Sequence, residues 1–180
     1  MNHAMAERAE RALSEFRQEL TATAPEAVDL LAVEQRVLEL VKAWGAAVMA
    51  QAMKHADTDA PEVIIRGERW GNRREHKHPY ETMFGEVEIE RSTYQKSGGG
   101  RVAIPMDMRL GIVEGRYTPR VGRVLTKAVT LMPEGEAEEF LGEIGLATVS
   151  KSTLHRVPRG LIGPKAATPP TTGCGTNSRS

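Results

Sequence analysis

Ser150, Lys151, Ser152, Thr153, His155, Arg156 and Arg159 gather hydroxyls, an imidazole and cations into one short stretch. That chemistry suits phosphate oxygens and base edges. Ser150 stands where an N-cap would, with Val149 and Leu154 at the two positions of a hydrophobic staple, so a helix is expected to start here. The free N–H groups and dipole at such a start favour anions, which makes Ser150, Lys151 and Thr153 candidates for phosphate and Ser152, His155 and Arg156 candidates for base edges. The plainer reading is a two-helix corner whose basic residues are merely solvated. A second cluster runs from Arg66 to His78 and includes Arg69, Arg73, Arg74 and Lys77, with Trp70 inside it and Tyr80 just beyond. Aromatic rings among cations can stack on bases while the cations meet phosphates. The competing reading is that Trp70 simply packs at a strand end.

No catalytic set emerges. Glu86, Glu88 and Glu90 alternate along one stretch, no glycine-rich phosphate loop occurs, and no nucleophile stands with a base. His76 and His78 invite a metal reading but lack cysteine or clustered acidic partners, and the single cysteine, Cys174, rules out an intrachain disulfide and a cysteine-based zinc site. No cofactor and no metal are therefore expected. The net charge of zero hides segregation: residues 1–62 carry −5, residues 63–132 carry +5, residues 133–145 carry −5 and residues 146–180 carry +5. Basic blocks beside acidic ones are the electrostatic footprint of a nucleic-acid binder, although many solvated surfaces look similar. No apolar run approaches a membrane span and the start does not read as a signal peptide, so no membrane association and a cytoplasmic location are expected.

The elements that would position these residues follow from periodicity. Ala6, Ala9, Leu13, Phe16 and Leu20, then Leu30, Val33, Val37, Leu40, Trp44 and Ala47, recur at helical spacing and predict a helical hairpin, with Pro25 as the first residue of its second helix. The two stripes either bury each other within one protomer or form a homo-oligomerising seam through residues 27–52. Beyond Asp57–Pro61 the period changes to alternation. Val63–Ile65 reads as a strand, Thr82–Phe84 and Val87–Tyr94 as a hairpin turning at Gly85-Glu86, and Arg101–Pro105 as a short extended piece. Thr118-Pro119 opens a helix whose stripe is Val121, Val124, Leu125, Ala128, Val129 and Met132, leaving Arg120, Arg123 and Lys127 off the stripe as further contact candidates. Pro133 ends it. Glu134–Ile144 is a short acidic helix, and with Gly145, a turn and the Ser150 helix it makes a helix-turn-helix. The expected fold class is α+β and mainly helical. Its parts are a helical hairpin over 1–56, a small antiparallel β-hairpin region over 57–115, a C-terminal helix-turn-helix bundle over 116–159 and a disordered tail over 160–180.

Four pieces in this order carry a family resemblance: Met83-Phe-Gly-Glu-Val-Glu-Ile-Glu-Arg91 with Tyr94, Pro105-Met-Asp-Met-Arg-Leu-Gly111, Arg116-Tyr-Thr-Pro-Arg120, and Glu136-Ala-Glu-Glu-Phe-Leu141 leading to Val149-Ser-Lys-Ser-Thr-Leu-His-Arg156. From about Arg66 to Arg159 the chain resembles the N-terminal half of ISKra-type insertion-sequence transposases. The resemblance implies recognition of double-stranded DNA at the element's terminal repeats. It also implies that strand cleavage and joining belong to a following RNase H-like domain whose carboxylates bind two divalent metals. Some such transposases carry Cys-x-x-Cys pairs flanking the hairpin, whereas Ile65–Trp70 and Gln95–Gly99 hold no cysteine here. Gly160–Ser180, rich in proline and glycine and without apolar periodicity, reads like a frameshifted or prematurely ended tail. The expectation is a truncated remnant that binds DNA without catalysing transposition. A free-standing helix-turn-helix regulator and a helical interaction protein are the competing readings.

Overall fold

The computed structural model describes residues 2–144 and Leu146. Helices α1 (Asn2–Ala22) and α2 (Leu30–His55) form the opening hairpin. Pro25 does not start α2. It opens a single 3₁₀ turn, Pro25–Ala27, and α2 begins where the Asp29 carboxylate accepts from Leu31 N at 3.0 Å and Ala32 N at 3.3 Å, a capping interaction that proline cannot offer. Four antiparallel strands follow in spatial order β1 (Val63–Ile65), β2 (Glu68–Thr82), β3 (Gly85–Gln95) and β4 (Val102–Ala103). Helices α3 (Pro105–Leu110), α4 (Pro119–Leu131) and α5 (Glu134–Glu143) complete the order. Among the described residues no helix is long and apolar enough to cross a membrane.

The expectation of a mainly helical chain closed by a helix-turn-helix bundle is overturned. The order is helices, then a four-stranded sheet, then helices, a mixed architecture in which the sheet is the central element. Nor do α4 and α5 stand apart as a bundle: their cluster of Val121, Leu125, Ala128, Ala137 and Leu141 continues into Val113 and Tyr117 and packs against Met83 of the β2–β3 turn. The helix expected over Ser150–Arg159 and the expected tail lie outside the described residues.

The sheet is larger than alternation suggests because β2 continues straight through the basic cluster. Glu68–His78 contains no valine, isoleucine or threonine, so its intrinsic strand preference is weak. Its extended form comes from pairing with β3, from Arg74 opposite Thr93 to Thr82 opposite Gly85. The register shifts between Gly71 and Arg74, where Asn72 takes a positive φ of 49°. The tight turn is Met83-Phe84 and not Gly85-Glu86. Thr82 Oγ1 accepts from Phe84 N at 3.0 Å and donates to Gly85 O at 2.8 Å, which fixes the turn two residues early and leaves Gly85, at φ 102°, to start β3.

Tyr80, Val87 and Ile89 on the inner face of the sheet pack with Ala50 and Met53 of α2 and Met106 of α3. At the other end Val63, Ile65, Tyr94 and Ala103 form a small cluster with Trp70 against it. The free edge of β3 is closed by the end of α2: Lys54 Nζ donates to Glu90 O at 2.9 Å, and the Asp57 carboxylate accepts from Ser92 N at 3.0 Å. These two bonds take up edge groups of β3 at Glu90 and Ser92 that would otherwise be open to another strand.

Candidate nucleic-acid interface

Helix α4 is the element on which exposed cations are best ordered. Its apolar residues Val121, Leu125 and Ala128 are buried in the core, while Arg120, Arg123 and Lys127 are exposed at i, i+3 and i+7, one helical face. Its thirteen residues include no acidic one, and among the described residues none of the three cations has an ion-pair partner within 4.0 Å. Arg120 and Arg123 lie in the first turns, at the positive end of the helix dipole, where cations are electrostatically unfavourable. The arrangement raises the local positive potential.

The start of α4 is tied to the sheet by several bonds. Glu81 N donates to Arg116 O at 2.9 Å and Thr118 N donates to Glu81 O at 3.0 Å, so residues 116–118 run beside the end of β2. The Arg116 guanidinium donates to Glu81 at 2.8 Å and to Glu86 at 2.9 Å, and the hydrogen bond it gives to the Glu81 carboxylate raises its pKa. Gly122 is a close-approach position, since a Cβ there would lie 3.0 Å from Val113 Cγ2. The basic face is thus held by a rigid mount.

A second anchor joins β3 to α3. Arg91 projects from β3 on the same face as Val87 and Ile89, so its charge enters the core and requires a partner. Asp107 of α3 supplies it at 2.7 Å, and the Tyr80 hydroxyl bridges both, accepting from Arg91 and donating to Asp107 at 2.5 Å. Burial pushes the Asp107 carboxyl above the ordinary range, against the opposing pull of Tyr80 and Arg91. Burial and then Asp107 push the Tyr80 hydroxyl well above its usual value. Tyr80, fully buried, cannot stack on a base. Sequence reasoning missed this cluster, although the parity of Arg91 with Val87 and Ile89 was a signal that could have found it.

The β2 cluster looks different once its partners are known. The Arg73 guanidinium contacts Glu75 and donates to Ser92 Oγ at 3.1 Å, Lys77 lies 3.4 Å from Glu88, and Arg69 lies 3.4 Å from Glu62. Arg74 is exposed, and no carboxylate lies within ion-pair distance of it among the described residues. Roughly 23 Å of strand separates Arg74 from Glu81, beside which α4 is anchored, so the two basic groups occupy different ends of the sheet. His78 bonds Gly115 O at 2.9 Å. Ser150, Lys151, Ser152, Thr153, His155, Arg156 and Arg159 fall outside the described residues.

The β1–β2 and β3–β4 turns lie side by side. Lys96 pairs with Glu68 at 2.7 Å and sits 5.0 Å from the centroid of the Trp70 ring, flanking a cleft of about 650 Å³. Here a salt bridge and a cation–π contact join the turns. Among the described residues no group of three or more His, Cys, Asp or Glu could hold a metal. No family profile, curated protein or solved structure matches the chain.

Proposed function

We propose that this chain is a DNA-binding, end-recognising part of an insertion-sequence transposase, acting in the cytoplasm on the terminal repeats of its element. Strand transfer in this reading belongs to a metal-dependent domain that the described residues do not include. The observation that carries the reading is the outer face of α4, where Arg120, Arg123 and Lys127 lie unmatched by any acidic residue of the helix. Cations kept near the positive end of a helix dipole cost stability, and an anionic partner offsets that cost. The helix spans roughly 20 Å, long enough to set its three cations against successive phosphates along a groove. The four ordered pieces that resemble ISKra-type transposases lend the reading its biological setting.

The test is duplex binding by the full chain as a function of salt. Arg120→Gln, Arg123→Gln and Lys127→Gln together should lower the slope of log affinity against log salt by about 2 to 3 units, near 0.9 per lost phosphate contact. Preference for the terminal repeats over scrambled duplex should be visible in the same titrations. Negligible binding at low salt, or a slope unchanged by the triple substitution, would overturn the reading.

A further inference from the structure

From Leu30 to Val48, α2 carries apolar residues on a side that α1 leaves exposed and that Phe84 of the β2–β3 turn meets only at Gly45. At 100° per residue Leu30, Leu31, Val37, Leu38, Val41 and Val48, with the ring of Trp44 beside them, fall within an arc of about 140°. Leu31 is 63% exposed and Leu38 52% exposed. Glu34 is the only charged residue in that arc, and Arg36 and Glu39, which pair at 3.1 Å, point elsewhere. Helix α1 covers only the adjoining face, through Ala9, Leu40 and Ala47, and even there a groove of about 430 Å³ lined by Leu13, Phe16, Leu20 and Val37 stays open. The seam expected from spacing accounts for Leu40 and Ala47 but not for Leu31 and Leu38, which belong to a second stripe on the same helix.

We infer that this second stripe is the interface of a homodimer, in which α2 packs antiparallel against α2 of a second copy. The exposed parts of the seven side chains amount to roughly 600 Å² per copy, above the few hundred Å² a monomer ordinarily shows in one patch and close to the ~800 Å² each partner gives to a standard interface. An antiparallel copy also opposes the dipoles of the two α2 helices. A two-fold axis near the middle of the stripe places Leu38 opposite Val41 and Leu31 opposite Val48. Dimerisation would present two copies of α4, which suits a target with paired repeats, but it is measured without DNA and stands or falls separately from the DNA-binding reading.

Sedimentation of the full chain decides the matter. The wild type should be a dimer in the micromolar range, and Leu31→Glu with Leu38→Glu should weaken association by at least 100-fold, about 2.7 kcal/mol, with the circular dichroism unchanged because both side chains are exposed. In a Cys174→Ser background, Leu38→Cys should cross-link to itself, whereas Leu31→Cys should cross-link to Val48→Cys in a mixed sample and poorly to itself. This readout does not depend on the glutamate variants folding. A wild type that stays monomeric at ~100 µM, a dimer that survives both glutamates, or self-cross-linking of Leu31→Cys as fast as that of Leu38→Cys would overturn the proposal.

Discussion

Replacing Asp107 with alanine tests whether the Arg91–Asp107–Tyr80 cluster holds α3 to the sheet. The two charged side chains are only 10% and 12% exposed, so truncating one leaves the other charged, desolvated and without its 2.7 Å partner. Breaking a buried pair in this way costs about 3–5 kcal/mol, and the Tyr80 hydroxyl loses its acceptor as well, a further ~1 kcal/mol. A domain of this size has a total stability of about 5–15 kcal/mol, so Asp107→Ala should lose a third or more of it and move the urea midpoint visibly. Replacing the pair together, Arg91→Met with Asp107→Leu, removes both charges and fills the space. That variant should recover most of the loss, because apolar residues of similar volume often match a buried ion pair. Equilibrium urea unfolding of the wild type, Arg91→Met, Asp107→Leu and the double variant closes a cycle, and a coupling energy of about 2–3 kcal/mol is expected between directly paired residues. A cost below about 1 kcal/mol for Asp107→Ala, or additive single effects, would refute the idea that the pair is a buried anchor.

Tyr80 gives a pH test. Its folded value is raised above the ordinary 10.0, so its contribution is fully present below that value and is lost as pH rises through the folded one; stability should fall above about pH 10, and Tyr80→Phe should flatten that fall in alkaline urea titrations. Asp107 is also raised, so relative to Asp107→Asn the wild type should gain stability as pH drops from neutrality into the carboxylate range, read from urea midpoints across that interval. At α4 the signs should split: Arg120→Glu should raise stability by about 0.3–1 kcal/mol at low salt through the helix dipole and at the same time weaken duplex binding. Gly45 is packed under Phe84, whose ring would stand 2.3 Å from an added Cβ, so Gly45→Ala should destabilise by about 1–3 kcal/mol, with partial rescue by Phe84→Leu in thermal melts.

Most helices were legible in the sequence because their stripes are set by periodicity: the stripe running from Val121 to Met132 and the ends at Pro119 and Pro133 give α4 within a residue. The strands were legible only where alternation is strong. Val87 and Ile89 announce β3, but Glu68–His78 has the composition of a solvated loop, and its fifteen-residue strand exists because β3 pairs with it. Helix α3 escaped notice since six residues are too few for a period; it is held by tertiary contacts, with Met106 fully buried and Asp107 bound to Arg91. The exposed face of α2 was hidden for the opposite reason. Two stripes on one helix look like a single broad one until α1 takes one of them, and the spacing of Leu30, Val33 and Val37 does not say which.

Charge counting has a similar blind spot, because it weighs every cation alike. In residues 63–132 the excess of five looks like one basic surface, yet Arg69, Arg73, Lys77, Arg91, Lys96 and Arg116 all stand within 4 Å of a carboxylate. Most of these ion pairs cross between strands or elements, so partners distant in sequence neutralise charges that a local count leaves standing. Lys96 and Glu68, 28 positions apart, meet only because β2 and β3 lie side by side. Arg66, Arg74, Arg101 and Arg109 also stand without a carboxylate within 4 Å among the described residues, but they are dispersed, whereas Arg120, Arg123 and Lys127 share one face of a helix whose other face is locked into the core. A surface ion pair contributes little to stability, about 0–1 kcal/mol, but it removes most of a cation's long-range field, so the potential presented to a polyanion is set by the unpaired residues. The α4 face, and not the longer basic run in β2, is therefore where salt-dependent binding should respond most steeply to a single substitution.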